Sequence, residues 1–427
     1  NSRQKNYVES VFRQDSANFS LDNIKEGYYK LVADDNFETV YPRLSYQNKN
    51  DIYDFELQVR PQKNFRADFG GSISARPISN FYLGLQYNYL SNYSYTFSAN
   101  FYSGRFYESA QGMARVDIPS RLPFYLETEL TYNHWNYFST GGLSLEDVDP
   151  IFIEQGDRRV VFKGGIPLPA NGKVEATAGF INFDDRFSPN GFFQSGDILD
   201  HSTFNGFSAG IAVEKNTLNR RQYASDGLSA SLGFYYYTGK ENYQPGNIFR
   251  NEPFYSEIKP RQMGRNWLRL KLSAEHYILA KKRYSLGYLA EGVVSNKPRF
   301  TTYKSTILSA PAFFPLQDSK SLYLENFRAN TYAAIGLKNV INLRKNLDFR
   351  LEGYIFQPLE EIKLENYQST DYGALFSARR LVSSIGLVHH TPLGPVSLSY
   401  NYYDDAAKRN GIMFHLGYLI YNKRSFE

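Results

Sequence analysis

The chain has 427 residues, 48 of them Lys or Arg and 43 Asp or Glu, which gives a formal net charge of +5 at pH 7. Aromatic residues make up 17%, cysteine is absent, and mean hydropathy is −0.49. A disulfide scaffold is therefore excluded, and the aromatic content argues against disorder. The sequence lacks the run of about 20 apolar residues that a membrane-spanning helix needs. Its basic residues are spread along the chain, so nucleic-acid binding is not indicated.

Many aromatic residues at low hydropathy fit repeated β-strands that have one apolar and one polar face. Two classes of protein match this composition. One is a soluble β-sandwich or propeller, and the other is a transmembrane β-barrel, in which only one face of each strand meets lipid. A propeller needs a repeat of about 40–50 residues, and the sequence shows no such self-similarity.

The first 62 residues predict a small α+β module. We expect a short strand at Tyr7–Phe12 and a helix that begins after a capping Ser20 and runs to about Ala33. Two strands, Phe37–Tyr46 and Tyr53–Arg60, flank a turn-rich segment. The predicted order is therefore β-α-β-β, in a module that is just large enough for a core of its own.

From residue 65 onward, apolar and polar residues alternate with the period of two that is typical of strands with two unlike faces. The runs are about 10–14 residues long, enough to cross a bilayer with tilt, whereas strands of globular proteins average about 5–6 residues. The length favours a transmembrane barrel, and an even number of strands suits a closed one. Sixteen strands are predicted, near 64–76, 80–91, 93–104, 106–118, 123–137, 158–167, 172–184, 201–215, 227–238, 265–278, 282–295, 329–341, 346–357, 376–391, 394–404 and 411–422.

The predicted connections differ in length, as they do in outer-membrane barrels. Short turns, such as 76–80, 279–282, 344–345 and 392–394, are expected on the periplasmic side. Long connections are expected on the extracellular side, at 139–157, 184–200, 239–263, 296–328 and 358–375.

Three segments resemble a known family. Residues 216–219 and 225–227 resemble its D-T-L-D…P-x-x-G turn, and 386–396 closely resembles its G-x-G-x-x-x-x-T-P-L-G-P motif. The final strand, 413–421, is similar to its last-strand insertion signal. The family is the BamA/TamA-like superfamily of outer-membrane insertases and translocases, also called the Omp-eighty-five or bacterial surface antigen family. The matching residues are Thr391, Pro392, Gly394 and Pro395 in the turn signature and Phe414, Gly417 and Tyr421 in the last-strand signal.

This resemblance implies an all-β fold, a 16-stranded transmembrane antiparallel β-barrel at 63–427, preceded by one small α+β POTRA domain at 1–62. It implies a bacterial outer-membrane location with the POTRA domain in the periplasm and no cofactor. The implied partners are outer-membrane lipid and, through the POTRA domain, a client or accessory outer-membrane protein; nucleic acid is not among them.

The family also has a long sixth extracellular loop that folds back into the barrel, where an Arg in a V-R-G-[FY] motif pairs with an acidic residue on the lumen wall. Arg328 matches this Arg, although Ala329 and Asn330 depart from Gly-[FY]. Glu352 lies on the polar face of the matching strand, beside Arg350. The resemblance therefore leads us to expect an Arg328–Glu352 pair; the alternative is that Arg328 is a solvated loop residue.

Catalytic or metal-binding residues are not predicted. Residues 206–210 read G-x-S-x-G, but they lie inside an alternating strand rather than at a strand-to-helix turn. The six His residues lack metal-ligand spacing. Four glutamates that could suggest a glycosidase, Glu127, Glu129, Glu275 and Glu352, fit a polar, ion-paired barrel interior better.

Three functions therefore remain. The first is the anchor or translocation module of a patatin-type phospholipase. It is favoured because residues 7–40 resemble the region that links patatin-like domains to barrels in Bacteroidetes-type proteins; any catalytic domain would lie outside these residues. The second is a protein insertase or translocase, which acts through the POTRA domain and a lateral seam between the first and last strands. The third is a passive pore. Whether the protein is an enzyme is left open.

Overall fold

The computed structural model describes residues 2–12, 21, 24–25, 27–28, 37–47, 52–61, 63–120, 122–140, 152–168, 171–366, 368–405 and 410–426. The N-terminal part contains helix α1 (Ser2–Phe12) and a hairpin of β1 (Phe37–Gln47) and β2 (Ile52–Pro61). The two predicted strands are thus confirmed. The strand expected at 7–12 was wrong: the segment is helical, and its Tyr7 and Phe12 pack against Phe37 and Phe55 of the hairpin. Residues 21, 24, 25, 27 and 28 are helical, as predicted, and the rest of that helix lies outside the described residues.

Sixteen antiparallel strands form a closed barrel, and each strand pairs with its neighbours in the chain until the last one pairs with the first. This confirms the predicted barrel and its strand count. The strands are β3 (Phe65–Ser74), β4 (Asn80–Leu90), β5 (Ser94–Gly104), β6 (Tyr107–Ile118), β7 (Phe124–Asn136), β8 (Ile153–Leu168), β9 (Gly172–Phe187), β10 (Asp200–Asn216), β11 (Leu228–Gln244), β12 (Arg261–Ala280), β13 (Tyr284–Ser295), β14 (Tyr332–Arg344), β15 (Leu347–Pro358), β18 (Arg380–Thr391), β19 (Gly394–Tyr403) and β20 (Asn410–Gly417).

The remaining regular elements lie in the connections between barrel strands. A small hairpin of β16 (Ile362–Leu364) and β17 (Thr370–Tyr372) follows β15. Helix α2 (Tyr303–Leu308) follows β13 and begins with a capping box between Thr302 and Ser305. Short 3-10 helices occupy Tyr137–Thr140, Pro253–Glu257, Ser319–Ser321 and Glu325–Phe327.

The alternation in sequence separates an apolar outer face from a polar inner one. Leu232 and Phe234 on β11 point outward and are 47% and 46% exposed, whereas Glu129 on β7 points inward and is 7% exposed. Large exposed apolar side chains occur on strands all round the barrel. A belt of this size is a surface that lipid covers. Among the described residues, none of the helices is long and apolar enough to cross a membrane.

The connections confirm the length asymmetry and correct one assignment. One end of the barrel has mostly short turns, including 91–93, 345–346 and 392–393, and we call it the short-turn end. The other end carries the long connections. The turn 75–79 lies at this long-loop end, although it was predicted among the short periplasmic turns, because β3 starts at the short-turn end. Helix α1 packs against Leu90, so the N-terminal elements lie at the short-turn end.

Candidate functional site: the occupied lumen and the strand seam

Three segments fill the barrel lumen. The connection between β13 and β14, residues 296–331, folds into the barrel, and we call it the lumen loop. Residues 418–426, the C-terminal tail, turn inward after β20. The turn 217–227 enters from the short-turn end, where Arg220 bonds to Asp348.

The lumen loop is held by aromatic packing against the inner wall. Phe313 stacks on Phe356 with ring centroids 6.0 Å apart, and Phe327 lies 5.7 Å from the same ring. Tyr332 lies 4.8 Å from Phe356. These rings belong to a fully buried cluster. Because aromatic rings bury large apolar areas, this cluster gives the loop a fixed position.

Asp318 ties the tip of the lumen loop to the wall. Its carboxylate accepts hydrogen bonds from Arg76 Nη1 at 2.8 Å, Asn401 Nδ2 at 3.0 Å and the Tyr403 hydroxyl at 2.5 Å. The side chains of Asp318 and Arg76 are 1% and 5% exposed. Hydrogen bonds to a buried charge are the strong ones, so Asp318 is the ionic lock of this loop.

Arg328 and Glu352, which the sequence analysis expected to pair, have different partners. Arg328 donates from Nη1 to the carbonyl oxygen of Leu308 at 3.1 Å and lies 5.3 Å from the ring of Tyr323. Glu352 accepts from Arg350 Nε at 2.8 Å and from the Tyr354 hydroxyl at 2.5 Å. Arg328 is also buried rather than solvated, at 3% exposed. The loop is thus locked by a different acid, supplied by the loop itself.

The lumen glutamates are ion-paired, as the sequence predicted. Lys163 Nζ lies 2.8 Å from Glu127 and 2.7 Å from Glu129. Glu275 pairs with Lys338 at 2.8 Å. Glu127 and Glu129 thus have a partner on the neighbouring strand, and Glu275 has one two strands away, which is typical of a polar barrel interior.

The C-terminal tail is anchored along its length. The side-chain amide of Gln222 donates from Nε2 to the carbonyl oxygen of Leu419 and accepts through Oε1 from the backbone N–H of the same residue. Asn422 donates from its backbone N–H to the Tyr107 hydroxyl and from Nδ2 to Asn100 Oδ1 and Ser109 Oγ, at 2.8–2.9 Å. Ser425 binds Asp157 through its backbone N–H and its hydroxyl. The ring of Phe426 packs against Phe183, Phe204, Tyr237 and Trp267.

The barrel closes through a short seam. Strands β20 and β3 share three residue pairs, His415–Ser74, Leu416–Ile73 and Gly417–Ser72. One further backbone bond runs from Ala75 N to Phe414 O. Residues 65–71 of β3 pair with β4 but not with β20. Every unpaired backbone group in lipid is costly, so this is the weakest point of the wall.

Glycines from three strands meet at the seam. Gly417 has φ +95°, and a Cβ there would lie 2.2 Å from the carbonyl oxygen of Gly71. A Cβ on Gly394 would lie 3.0 Å from Gly417 Cα. The predicted turn signature forms the tight turn between β18 and β19, where Thr391 Oγ1 donates to Gly394 O at 2.7 Å. The turn signature and the last-strand signal are thus in direct contact.

The last-strand signal is divided between wall and lumen. Phe414 points outward at 41% exposed, Gly417 ends β20, and Tyr421 lies beyond the strand with its ring 4.9 Å from that of Tyr107. The predicted last strand at 411–422 therefore extended five residues beyond the end of β20. Asp318 and the tail contacts were missed as well, because they belong to irregular segments without periodicity.

One buried pair resembles a nucleophile and its base. Ser397 Oγ lies 2.8 Å from His415 Nδ1. Both side chains are 1% exposed, beneath the seam. A substrate does not reach them in this arrangement, so the pair serves to join β19 to β20.

The fold resembles that of two known outer-membrane proteins, although no protein-family model and no curated protein matches the sequence. BamA from Haemophilus ducreyi, in a structure lacking POTRA domains 1–3, has a TM-score of 0.61 at 12% identity, over 96% of this chain and 80% of that one. CdiB from Acinetobacter baumannii has a TM-score of 0.55 at 10% identity, over 97% of this chain and 71% of that one. CdiB from Escherichia coli has a TM-score of 0.50 at 11% identity, over 96% of this chain and 73% of that one. The chain thus has the 16-stranded barrel fold of BamA and CdiB.

Proposed function

We propose that this chain is a bacterial outer-membrane barrel that inserts or translocates polypeptide through its seam. The observation that carries the proposal is the three-pair contact between β20 and β3. Unpaired strand edges can add a further strand by backbone hydrogen bonding. The exposed residues 65–71 of β3 offer such an edge, on a barrel with the fold of BamA and CdiB.

In its specific form, we propose that the barrel is the anchor and translocation module of a patatin-type phospholipase. Residues 1–62 would be its POTRA-like domain, in the periplasm, and 63–427 its barrel. The support is the resemblance of residues 7–40 to patatin-linked barrels and the position of α1 at the short-turn end. The catalytic domain would lie outside these residues, and a client or accessory outer-membrane protein would bind the POTRA-like domain.

The occupied lumen does not favour a passive pore. The lumen loop and the C-terminal tail both pack into the barrel through buried contacts. A substrate that used the lumen would have to displace both, whereas one that used the seam would not.

A reversible crosslink of the seam tests the proposal. The chain has no cysteine, so the variant I73C/L416C places a single disulfide between β3 and β20. A matched pair, L398C/F414C, joins β19 to β20, which are paired over their length. We expect the oxidised seam variant to lose insertion of an unfolded outer-membrane barrel into proteoliposomes and to regain it on reduction. Full activity of the oxidised seam variant, or equal loss in the control, would contradict the proposal.

The phospholipase link has a separate test. The coding sequence upstream of Asn1 should encode a G-x-S-x-G nucleophile elbow followed by D-G-[GA], and the full protein should release fatty acid from phospholipid vesicles. Several additional POTRA-like modules in that region would favour the general insertase instead.

A further inference from the structure

A small cavity inside the lumen is lined by cations. It lies where the lumen loop, the C-terminal tail and β12 meet, and its volume is about 30 Å³. Arg269 and Lys271 come from the wall, Arg328 from the loop and Arg424 from the tail. In the described part of the chain, no carboxylate lines it.

Two of these guanidinium groups have donors that no described residue uses. Arg328 is 3% exposed, and its Nε and Nη2 atoms have no hydrogen-bond partner among the described residues. Arg269 is 2% exposed, and within the same residues its Nε has no partner either. Its other nitrogens bind the Tyr237 hydroxyl at 2.5 Å and the carbonyl oxygen of Phe426. Buried donors without a partner, on a charged group above all, call for a bound ion or water.

The neighbouring carboxylates have other partners. Glu291 lies 3.4 Å from Lys271 Nζ, and Asp185 accepts a hydrogen bond from Gln155. Asp185 also lies within electrostatic range of Arg328 and Arg424. Within the described residues, however, no carboxylate lies within ion-pair distance of Arg328, so Asp185 offsets its charge only from farther away. Leaving a buried charge unpaired is strongly destabilising.

We propose that this cavity binds a small inorganic anion of the size of chloride. The volume exceeds the roughly 10–15 Å³ that one water needs but leaves little room for a larger group. Because the cations come from three separate segments, the anion would join the lumen loop and the C-terminal tail to the wall. The inference concerns the lumen only and does not depend on the proposed function.

Salt-dependent stability tests the site. The full chain is purified in detergent without halide, and chloride or bromide replaces gluconate at constant ionic strength. We expect the unfolding temperature to rise saturably by about 3 °C or more, as binding to the folded state alone requires. A crystal grown in bromide should show an anomalous peak between Arg269 and Arg328.

Variants separate this site from a general salt effect. R328M should lose the rise, whereas R299M, at a half-exposed loop arginine, should keep it. If R328M does not assemble, R328K should keep the rise in unfolding temperature, but the rise should reach its midpoint at a higher halide concentration. An equal rise in R328M and the unaltered protein, or an unchanged midpoint in R328K, would overturn the proposal.

Discussion

At the scale of single residues, Asp318 holds the lumen loop more firmly than any other acid that we describe. It receives three side-chain hydrogen bonds from three places in the barrel wall, at Arg76, Asn401 and Tyr403. An Asn in its place keeps the shape but removes the charge that balances Arg76. A buried cation without its partner is costly.

We therefore expect D318N to lower the free energy of unfolding by about 3 kcal/mol and to speed amide hydrogen exchange in the lumen loop. Mass-spectrometric exchange and urea unfolding in detergent measure the two effects. The matched control is D371N, which removes the exposed pair with Arg299 and should cost well under 1 kcal/mol. Equal effects in the two variants would mean that Asp318 is not the lock.

Lys297 gives the lumen loop a pH dependence. Its ammonium group is 5% exposed and lies 4.0 Å from the ring centroid of Phe300, next to the Arg265–Glu241 pair. Burial is the main cause that lowers the pKa of Lys297 to about 7; Glu241 opposes the shift and Arg265 adds to it. The folded protein therefore releases this proton above about pH 7, whereas the unfolded chain keeps it to about pH 10.4.

The contribution of Lys297 to the free energy of unfolding should therefore rise as pH increases from about 7 to about 10.4. In that range Lys297 is protonated in the unfolded state but not in the folded state. The measurement is the unfolding midpoint against pH, and the quantity that decides is the difference between the unaltered protein and K297M. We expect K297M to be more stable at pH 7 and the difference to shrink at higher pH. A pH-independent difference, or one equal to that of the exposed K259M, would contradict this.

Arg328 shows which part of the site the sequence could predict. The family resemblance predicted that Arg328 lies on a loop that enters the lumen, and the loop does fold inward. The resemblance did not predict the partner of Arg328, because contacts with distant strands, such as the packing of Phe313 on Phe356, set the path of residues 296–331. Spacing in the sequence carries no signal for contacts of this kind.

At the scale of elements, the strands were predictable wherever one face meets lipid and the other the polar lumen. Strand ends were not. Strand β12 runs from Arg261 to Ala280 and is longer than the predicted strand at 265–278. Its first two residues, Arg261 and Gln262, are polar on both faces, so the alternation that predicts a strand is absent there. For β20 the predicted strand was too long instead. Tyr418 and Ile420 continue the series of outward apolar residues, but strand pairing stops at Gly417. The cause is a backbone with positive φ, which a hydrophobic pattern does not encode.

Gly417 is therefore the residue on which the seam depends. A Cβ at φ +95° is strained, and it would lie 2.2 Å from the carbonyl oxygen of Gly71. We expect G417A to weaken the seam by about 1–2 kcal/mol and to lower the temperature at which the barrel unfolds on SDS gels. G353A is the control, because a Cβ there meets nothing within 4 Å. No difference between the two variants would show that β20 relaxes around the added methyl group.

At the scale of the whole molecule, the lumen is closed by two segments that have separate anchors but share part of their aromatic packing. Phe300 of the lumen loop and Phe426 of the C-terminal tail both pack against Phe204 and Trp267. The lumen loop depends on Asp318 and the Phe313–Phe356 packing, and the C-terminal tail depends on Asn422 and Ser425. In the described residues these two sets of anchors share no side chain. Perturbations at independent sites add, so breaking one set should leave the other set and the shared aromatic packing in place.

Single-channel recording in a planar bilayer checks this closure. We expect no steady current through the unaltered barrel, brief openings with D318N or N422A/S425A alone, and a persistent conductance only when all three substitutions are combined. We expect this order of conductances because an ion that passes along the barrel axis has to displace both the lumen loop and the C-terminal tail. A large steady current through the unaltered protein would contradict the closed lumen and restore the passive pore. A persistent current with either set alone would mean that one segment closes the lumen by itself.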